Sequence, residues 1–357
     1  RLLRRLGTGG MGEVFLAEQE QPIRRTVALK LIRSQAIGVQ TAARFAAERQ
    51  TLALMNHPNI ARVFDAGESR AGRAYVAMEL VEGPILTRYC DECRLDLERR
   101  LELFVAVCRG VQHAHQKGVI HRDLKPSNIL VATEDGQAVP KIIDFGLAKA
   151  IREGALGATH ATEHGQWLGT PDYMSPEQAG GADGEVDTRS DVYSLGVLLY
   201  ELLSGVLPFD PQALRQRGLA ALLATLRDQE PPRMSARLRE LGPLAHKAAR
   251  ARGLEPLRLE TLLRDDLDAI VQKALAKDPD RRYGSAVELS DDIVRHLRHE
   301  PVRAAARSAT VRLRKLVRRH RLAVTAATIV FVTLLGGIIG TSASLVRALR
   351  AEREARD

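Results

Sequence analysis

His121-Arg122-Asp123-Leu124-Lys125-Pro126-Ser127-Asn128 is followed, sixteen residues after the asparagine, by Asp144-Phe145-Gly146. This stretch sets one carboxylate, one lysine and one amide on a short loop, with a second carboxylate downstream. Phosphoryl transfer from a metal-bound nucleotide to a hydroxyl needs such a set: a group to orient the hydroxyl, a cation for the phosphate, and oxygen ligands for the metal. Taken singly, each residue is an ordinary turn or capping residue. The combination at this spacing is what carries the chemistry.

Upstream, Gly7-Thr8-Gly9-Gly10-Met11-Gly12 interrupts a strand pattern that begins at residues 1–6 and resumes at 13–18. A Gly-x-Gly-x-x-Gly turn also occurs in dinucleotide-binding units, where a helix and a distant acid follow. Here a strand follows, and then Val27-Ala28-Leu29-Lys30. Small residues let backbone N–H groups approach phosphates without a Cβ in the way. A helix is expected over about 39–55, stopped by Asn56-His57-Pro58-Asn59, with short strands at 62–65 and 73–79. The beginning of the chain is thus a small β-rich unit with one helix. After Gly83-Pro84 the pattern turns helical, with helices expected over 95–116, 191–203, 212–227, 265–276 and 285–297. Residues 231–263 are rich in Arg, Leu and Pro, show little periodicity, and read as a long connection.

These motifs, in this order over about residues 3–297, resemble the signature of the eukaryotic-type protein kinases. The resemblance implies an α+β, two-lobed fold: a small β-rich lobe with one helix over 1–82 and a larger, mainly helical lobe over 83–300. It implies that ATP lies under Leu6, Gly7, Thr8, Gly9, Gly10, Met11, Gly12, Glu13 and Val14, beside Ala28, and that Val14 packs on the adenine. Lys30 would hold the α and β phosphates and pair with Glu48 on the small-lobe helix. Met78 stands as gatekeeper, and backbone groups of Glu79 and Val81 would bond the adenine edge. Asp123 orients the acceptor hydroxyl or takes its proton, Lys125 neutralises the transferring phosphoryl group, and Asn128 and Asp144 hold Mg²⁺, with Mn²⁺ an alternative. His121, His113 and His115 are assigned supporting roles.

The resemblance also implies a protein acceptor, since Gly169-Thr170-Pro171 and Ser175-Pro176-Glu177 form a peptide platform with Thr170 facing the substrate. Glu177 should pair with Arg282, and Asp191 should cap the loop backbone. Arg122 before Asp123 suggests a phosphate on the loop between Asp144 and Glu177, because a phosphothreonine can order such a loop through bidentate arginine contacts. Thr162 is the first candidate for autophosphorylation and Thr159 the second.

The net charge of +9 resides wholly in residues 301–357; residues 1–300 carry 41 basic and 41 acidic residues. A nucleic-acid partner is therefore not expected. The cysteines are Cys90, Cys93 and Cys108; the Cys-x-x-Cys pair lacks the second pair that a structural zinc site needs. Residues 303–321 carry eight Arg/Lys and no acid, and residues 322–346 carry no charge at all. As a helix, those twenty-five residues span roughly 37 Å, against a hydrocarbon core of about 30 Å.

A transmembrane helix is expected there, after a basic juxtamembrane linker at 301–321 and before the start of an extracytoplasmic segment at 347–357. The basic flank places the preceding domain in the cytoplasm, on a single-pass protein of the inner or plasma membrane. Gly336-x-x-x-Gly340 can let two such helices approach closely; a homodimer is one reading and ordinary membrane-helix composition the other. The overall expectation is a membrane-anchored serine/threonine kinase of bacterial type acting on protein substrates. A small-molecule phosphotransferase and a catalytically silent scaffold are its rivals.

Overall fold

In the computed structural model, the residues described are 1–9, 12–21, 23–32, 55–69, 72–145, 171–180, 186–305 and 333–334. Gly10, Met11, Glu48, Thr159, Thr162 and Thr170 lie outside them, as does the uncharged run apart from Thr333 and Leu334. Among the described residues no helix is long and apolar enough to cross a membrane.

Five strands form an antiparallel sheet: β1 (Leu2–Gly9), β2 (Gly12–Gln19), β3 (Arg25–Ile32), β4 (Val63–Glu68) and β5 (Ala74–Glu79), in the order β1-β2-β3-β5-β4. Along β3, Val27, Ala28, Lys30 and Ile32 are buried. The register pairs Val14 with Lys30 and Gly12 with Ile32. At Gly12 a Cβ would lie 2.1 Å from the Leu31 carbonyl oxygen, and φ is +154°. Only glycine allows that approach, which brings the start of β2 close against the end of β3. Val14, Ala28, Val76 and Met78 share one small apolar cluster.

The larger lobe is helical: α1 (Leu86–Glu92), α2 (Leu97–Gln116), α3 (Pro176–Ala179), α4 (Thr188–Ser204), α5 (Pro211–Gln216), α6 (Leu219–Asp228), α7 (Met234–Glu240), α8 (Pro243–Arg250), α9 (Pro256–Leu263), α10 (Asp266–Ala274) and α11 (Ala286–Leu297). A hairpin of β6 (Ile129–Glu134) and β7 (Gln137–Ile142) joins them. Fourteen of the seventeen residues of α4 are buried, as expected of a helix apolar on all sides. Its neighbours α2, α10 and α11 supply Phe104, Ile270 and Leu289 to the same core.

Two sequence expectations are revised. Residues 231–263 are not an irregular connection, because α7, α8 and α9 occupy most of them. Each has only seven or eight residues, about two turns, too short for a 3.6-residue period to register. Pro243 and Pro256 begin helices, where a missing N–H costs nothing. Likewise 212–227 is two helices, parted at Gly218 with φ +84°.

The segment after α11 is held down. Asp292, fully buried, accepts from Arg303 N at 2.7 Å, Ala304 N at 2.9 Å and the Tyr283 hydroxyl at 2.9 Å. Asp292→Ala leaves all three donors without that acceptor and is expected to cost about 2–4 kcal/mol of stability, read by urea denaturation. A loss under about 0.5 kcal/mol would show that nothing is held there.

Candidate active site

The loop from His121 to Asn128 alternates between core and cleft. His121, Leu124, Pro126 and Asn128 are buried, while Arg122, Asp123 and Lys125 are only partly so. Leu124, fully enclosed, anchors the loop in the large core. Arg122 has φ +66°, a strained value for a residue with a Cβ. Such strain persists only where the surroundings over-determine it, and here they do. Asp191 of α4 accepts from His121 N through Oδ2 and from Arg122 N through Oδ1, both at 2.8 Å. On the other side of the same residue, Gln178 Nε2 donates to the Arg122 carbonyl at 2.8 Å.

Asp191 also meets His115 Nε2 at 2.7 Å. Burial acts to raise its pKa, but the His115 hydrogen bond and the charges and donors around it outweigh that, and the net direction is down. His121 Nδ1 accepts from Asp123 N at 3.3 Å and its Nε2 faces the Ile143 carbonyl at 3.1 Å. A neutral ring with its proton on Nε2 satisfies both contacts. His121 thus ties the loop to the residue preceding Asp144, a supporting role.

At the cleft, Lys125 Nζ reaches Asp123 Oδ2 at 2.8 Å and Oδ1 at 3.1 Å. Asn128 Nδ2 donates to the Asp123 carbonyl at 2.8 Å, which turns the amide oxygen away from that bond. Asp144 also has a left-handed backbone, with φ +65°. Its Oδ2 lies 2.8 Å from Lys30 Nζ. Lys30 is only 5 % exposed and belongs to the small-lobe sheet, whereas Asp144 follows β7 in the large lobe. This ion pair therefore bridges the lobes. The sequence expectation pairs Lys30 with Glu48, which lies outside the described residues; the partner seen here is Asp144. A small cavity is lined by Met55, Ala61, Val63, Val76, Met78, Asp144 and Phe145.

No cluster of three or more His, Cys, Asp or Glu side chains is arranged to hold a metal among the described residues. Asn128 and Asp144 offer two hard oxygens on one wall of the cleft. That donor set fits Mg²⁺, which keeps waters and phosphate oxygens as its other ligands. The cysteines are free, and burial pushes Cys90 up to about 11, so its thiol is inert.

The scaffold contacts expected from sequence are present. Glu177 Oε1 and Oε2 receive Arg282 Nη1 and Nη2, each at 2.8 Å, and Ser190 Oγ donates to Oε1 at 2.6 Å. Sequence reasoning passed over Gln178, and it noted His115 only as structural. Nothing local marks either as a partner of the loop. Their bonds close across 56 and 76 residues of chain.

Residues 1–296 match the protein kinase domain family. The chain is 37% identical to the serine/threonine-protein kinase PknB of Mycobacterium tuberculosis over 84% of its own length and 43% of the relative's. It is 38% identical to the serine/threonine-protein kinase pkn2 of Myxococcus xanthus, over 82% of this chain and 31% of that one. The chain thus spans less than half the length of these curated relatives. The crystal structure of the M. tuberculosis PknI kinase domain superposes with a TM-score of 0.57 at 27% identity, covering 83% of this chain and 94% of that chain. With its sheet, its helical lobe and the loop held by Asp191, the chain belongs to the protein kinase family, and residues 1–296 form a kinase domain of the serine/threonine type.

Proposed function

We propose that the chain transfers the γ-phosphate of Mg-ATP to serine or threonine hydroxyls of proteins, as the cytoplasmic part of a membrane-anchored signalling protein. The observation that carries the reading is the approach of two lobes at one cleft, with Lys30 of the small lobe bonded to Asp144 of the large lobe, and Asp123, Lys125 and Asn128 linked on the large-lobe loop that precedes it. Asp123 accepts a hydrogen bond from the acceptor hydroxyl and orients it for in-line attack. Lys125, held beside Asp123, is the cation nearest the transferred group, and Lys30 meets the inner phosphates. Asn128 and Asp144 would hold Mg²⁺, which supplies neutralisation of phosphate charge. The glycine-rich turn, with Ala28, Met78 and the backbone of Glu79 and Val81, encloses the nucleoside.

Thr170 is assigned to the acceptor platform, and Thr162, then Thr159, to activation by autophosphorylation. The run 322–346 is read as the membrane span and 303–321 as its cytoplasmic flank, with Gly336 and Gly340 as a helix-pairing site. Partition of the full chain into liposomes, resistant to alkaline extraction, supports the anchor; complete release at high pH excludes it.

The activity test is transfer of label from ATP to a protein acceptor, followed by phosphoamino-acid analysis. Phosphoserine or phosphothreonine is expected. Label on small acceptors alone, or none at all, overturns the proposal. Lys30→Met is expected to lower kcat/KM about 10²–10³-fold, the usual cost of one preorganised electrostatic contact. A change under about threefold would remove Lys30 from the phosphate site.

A further inference from the structure

Lys141 stands on β7, three residues before Asp144, and is only 7 % exposed. Its Nζ lies 2.7 Å from Glu79 Oε1 and 2.8 Å from Glu134 Oε1. Burial disfavours the ammonium, but hydrogen bonds and charge from Glu134 and Glu79 more than offset it, and the pKa of Lys141 is raised. The residue is a cation clamped between two carboxylates.

The two carboxylates differ in what they belong to. Glu134 ends β6 at the hairpin turn, and its side chain is 46% exposed. Glu79 ends β5, where the chain leaves the small lobe. Its other oxygen, Oε2, accepts from Arg62 N at 3.1 Å, and its own N–H donates to the Arg62 carbonyl at 2.8 Å. The loop before β4 is tied to β7 in turn: Asn59 Nδ2 donates to the Pro140 carbonyl, and Ala61 N to the Ile142 carbonyl, both at 2.9 Å. At the far end of the connection, Gly83 passes so close to β6 that a Cβ would lie 1.9 Å from the Val131 carbonyl oxygen, and Val131 N donates to the Pro84 carbonyl at 2.9 Å.

The link between the lobes is therefore pinned at both ends to one hairpin. That hairpin begins just after Asn128 and ends just before Asp144. A ligand with a purine at one end and phosphates at the other needs both of its sites held at a constant separation. Lys141 joins them, because it grips Glu79 from the strand that leads into Asp144.

We propose that Lys141 is a positioning residue for the nucleotide: by clamping Glu79 to β7 it sets the adenine-facing connection at a constant distance from Asn128 and Asp144. The proposal rests on the nucleotide-cleft reading above.

The test compares Lys141→Met, Glu79→Gln, their double variant and Glu134→Gln in the full chain, with kcat and the KM for ATP and for the protein acceptor as readouts. Lys141→Met and Glu79→Gln are each expected to raise the KM for ATP about five- to tenfold, the loss of one charge-assisted bond, with kcat and the acceptor KM within about threefold. The double variant should be no worse than the more impaired single one, since the Lys141–Glu79 link is already lost in each. Glu134→Gln spares the Glu79 arm and should leave the KM for ATP within about twofold.

Should Lys141→Met lower stability too far for assay, Glu79→Gln, nearly isosteric, carries the test, with binding of a fluorescent ATP analogue as a second readout. Active Glu79→Gln with an unaltered KM for ATP, multiplied effects in the double variant, or an equal rise with Glu134→Gln would each overturn the clamp and leave the kinase reading intact. A wild-type chain that transfers nothing from ATP would instead sink the reading on which the clamp rests.

Discussion

Asp123→Asn is expected to lower kcat about 10²–10⁴-fold, the usual contribution of a positioned acid or base group, while the fold survives. The amide keeps the shape and one acceptor oxygen. It loses the charge that Lys125 grips through both oxygens at 2.8 and 3.1 Å. Neither side chain of that pair is deeply buried, with exposures of 17% for Lys125 and 27% for Asp123, so the stability change should stay within about 1 kcal/mol. Single-turnover transfer from ATP to a protein acceptor measures the first quantity, and thermal denaturation the second. A variant that retains more than about a tenth of wild-type kcat would remove Asp123 from the chemical step. The same result would revive the scaffold alternative, in which a silent Asp123 is harmless.

The second large effect is expected at Asp191, which touches no substrate. Its carboxylate is fully buried and receives His115 Nε2, His121 N and Arg122 N. Asp191→Ala leaves these donors facing a void and is expected to cost about 3–5 kcal/mol, the range for breaking a buried charged network. That is a large share of the roughly 5–15 kcal/mol that holds a typical domain together. Removing the acceptor also frees Arg122 from φ +66°. The peptide that carries Asp123 can then relax, so kcat should fall at temperatures where the variant is still folded.

The pH dependence has a definite sign. The folded pKa of Asp191 is depressed, so its contribution is fully present above the unfolded carboxylate value near 3.9. It is lost as pH falls below that value and through the folded one. Stability profiles of the wild type should carry this acid limb, and those of Asp191→Ala should lack that part of it. Parallel profiles would show that Asp191 is not ionised in the fold.

Much of the site was legible because its residues are close in sequence. Asp123, Lys125 and Asn128 share one turn-sized loop, and their types state what they can do: accept a proton, hold an anion, ligate a hard cation. Gly12 was legible as part of the glycine-rich turn, where backbone must approach phosphates; the close pass beside Leu31, which admits no other residue, came only with the structure. The pairing of Glu177 with Arg282 was expected across 105 residues, but only through the resemblance; nothing in the local pattern requires it. The helices over 231–263 stayed hidden because their amphipathic signal is spread over two turns each and interrupted by Gly242, Pro243, Gly253 and Pro256.

By itself, then, the order and spacing of motifs determined the reaction class, the division into a β-rich and a helical lobe, and the uncharged run after the kinase domain. These follow from residue chemistry and local period, which need no knowledge of distant contacts. Only the tertiary structure decided that Lys30 meets Asp144, that Asp191 and Gln178 grip Arg122 from opposite sides, and that Lys141 holds Glu79 to the strand leading into Asp144. Each of those bonds joins elements far apart along the chain. A charged side chain has many possible partners in sequence, and burial in a packed interior is what narrows them to a few.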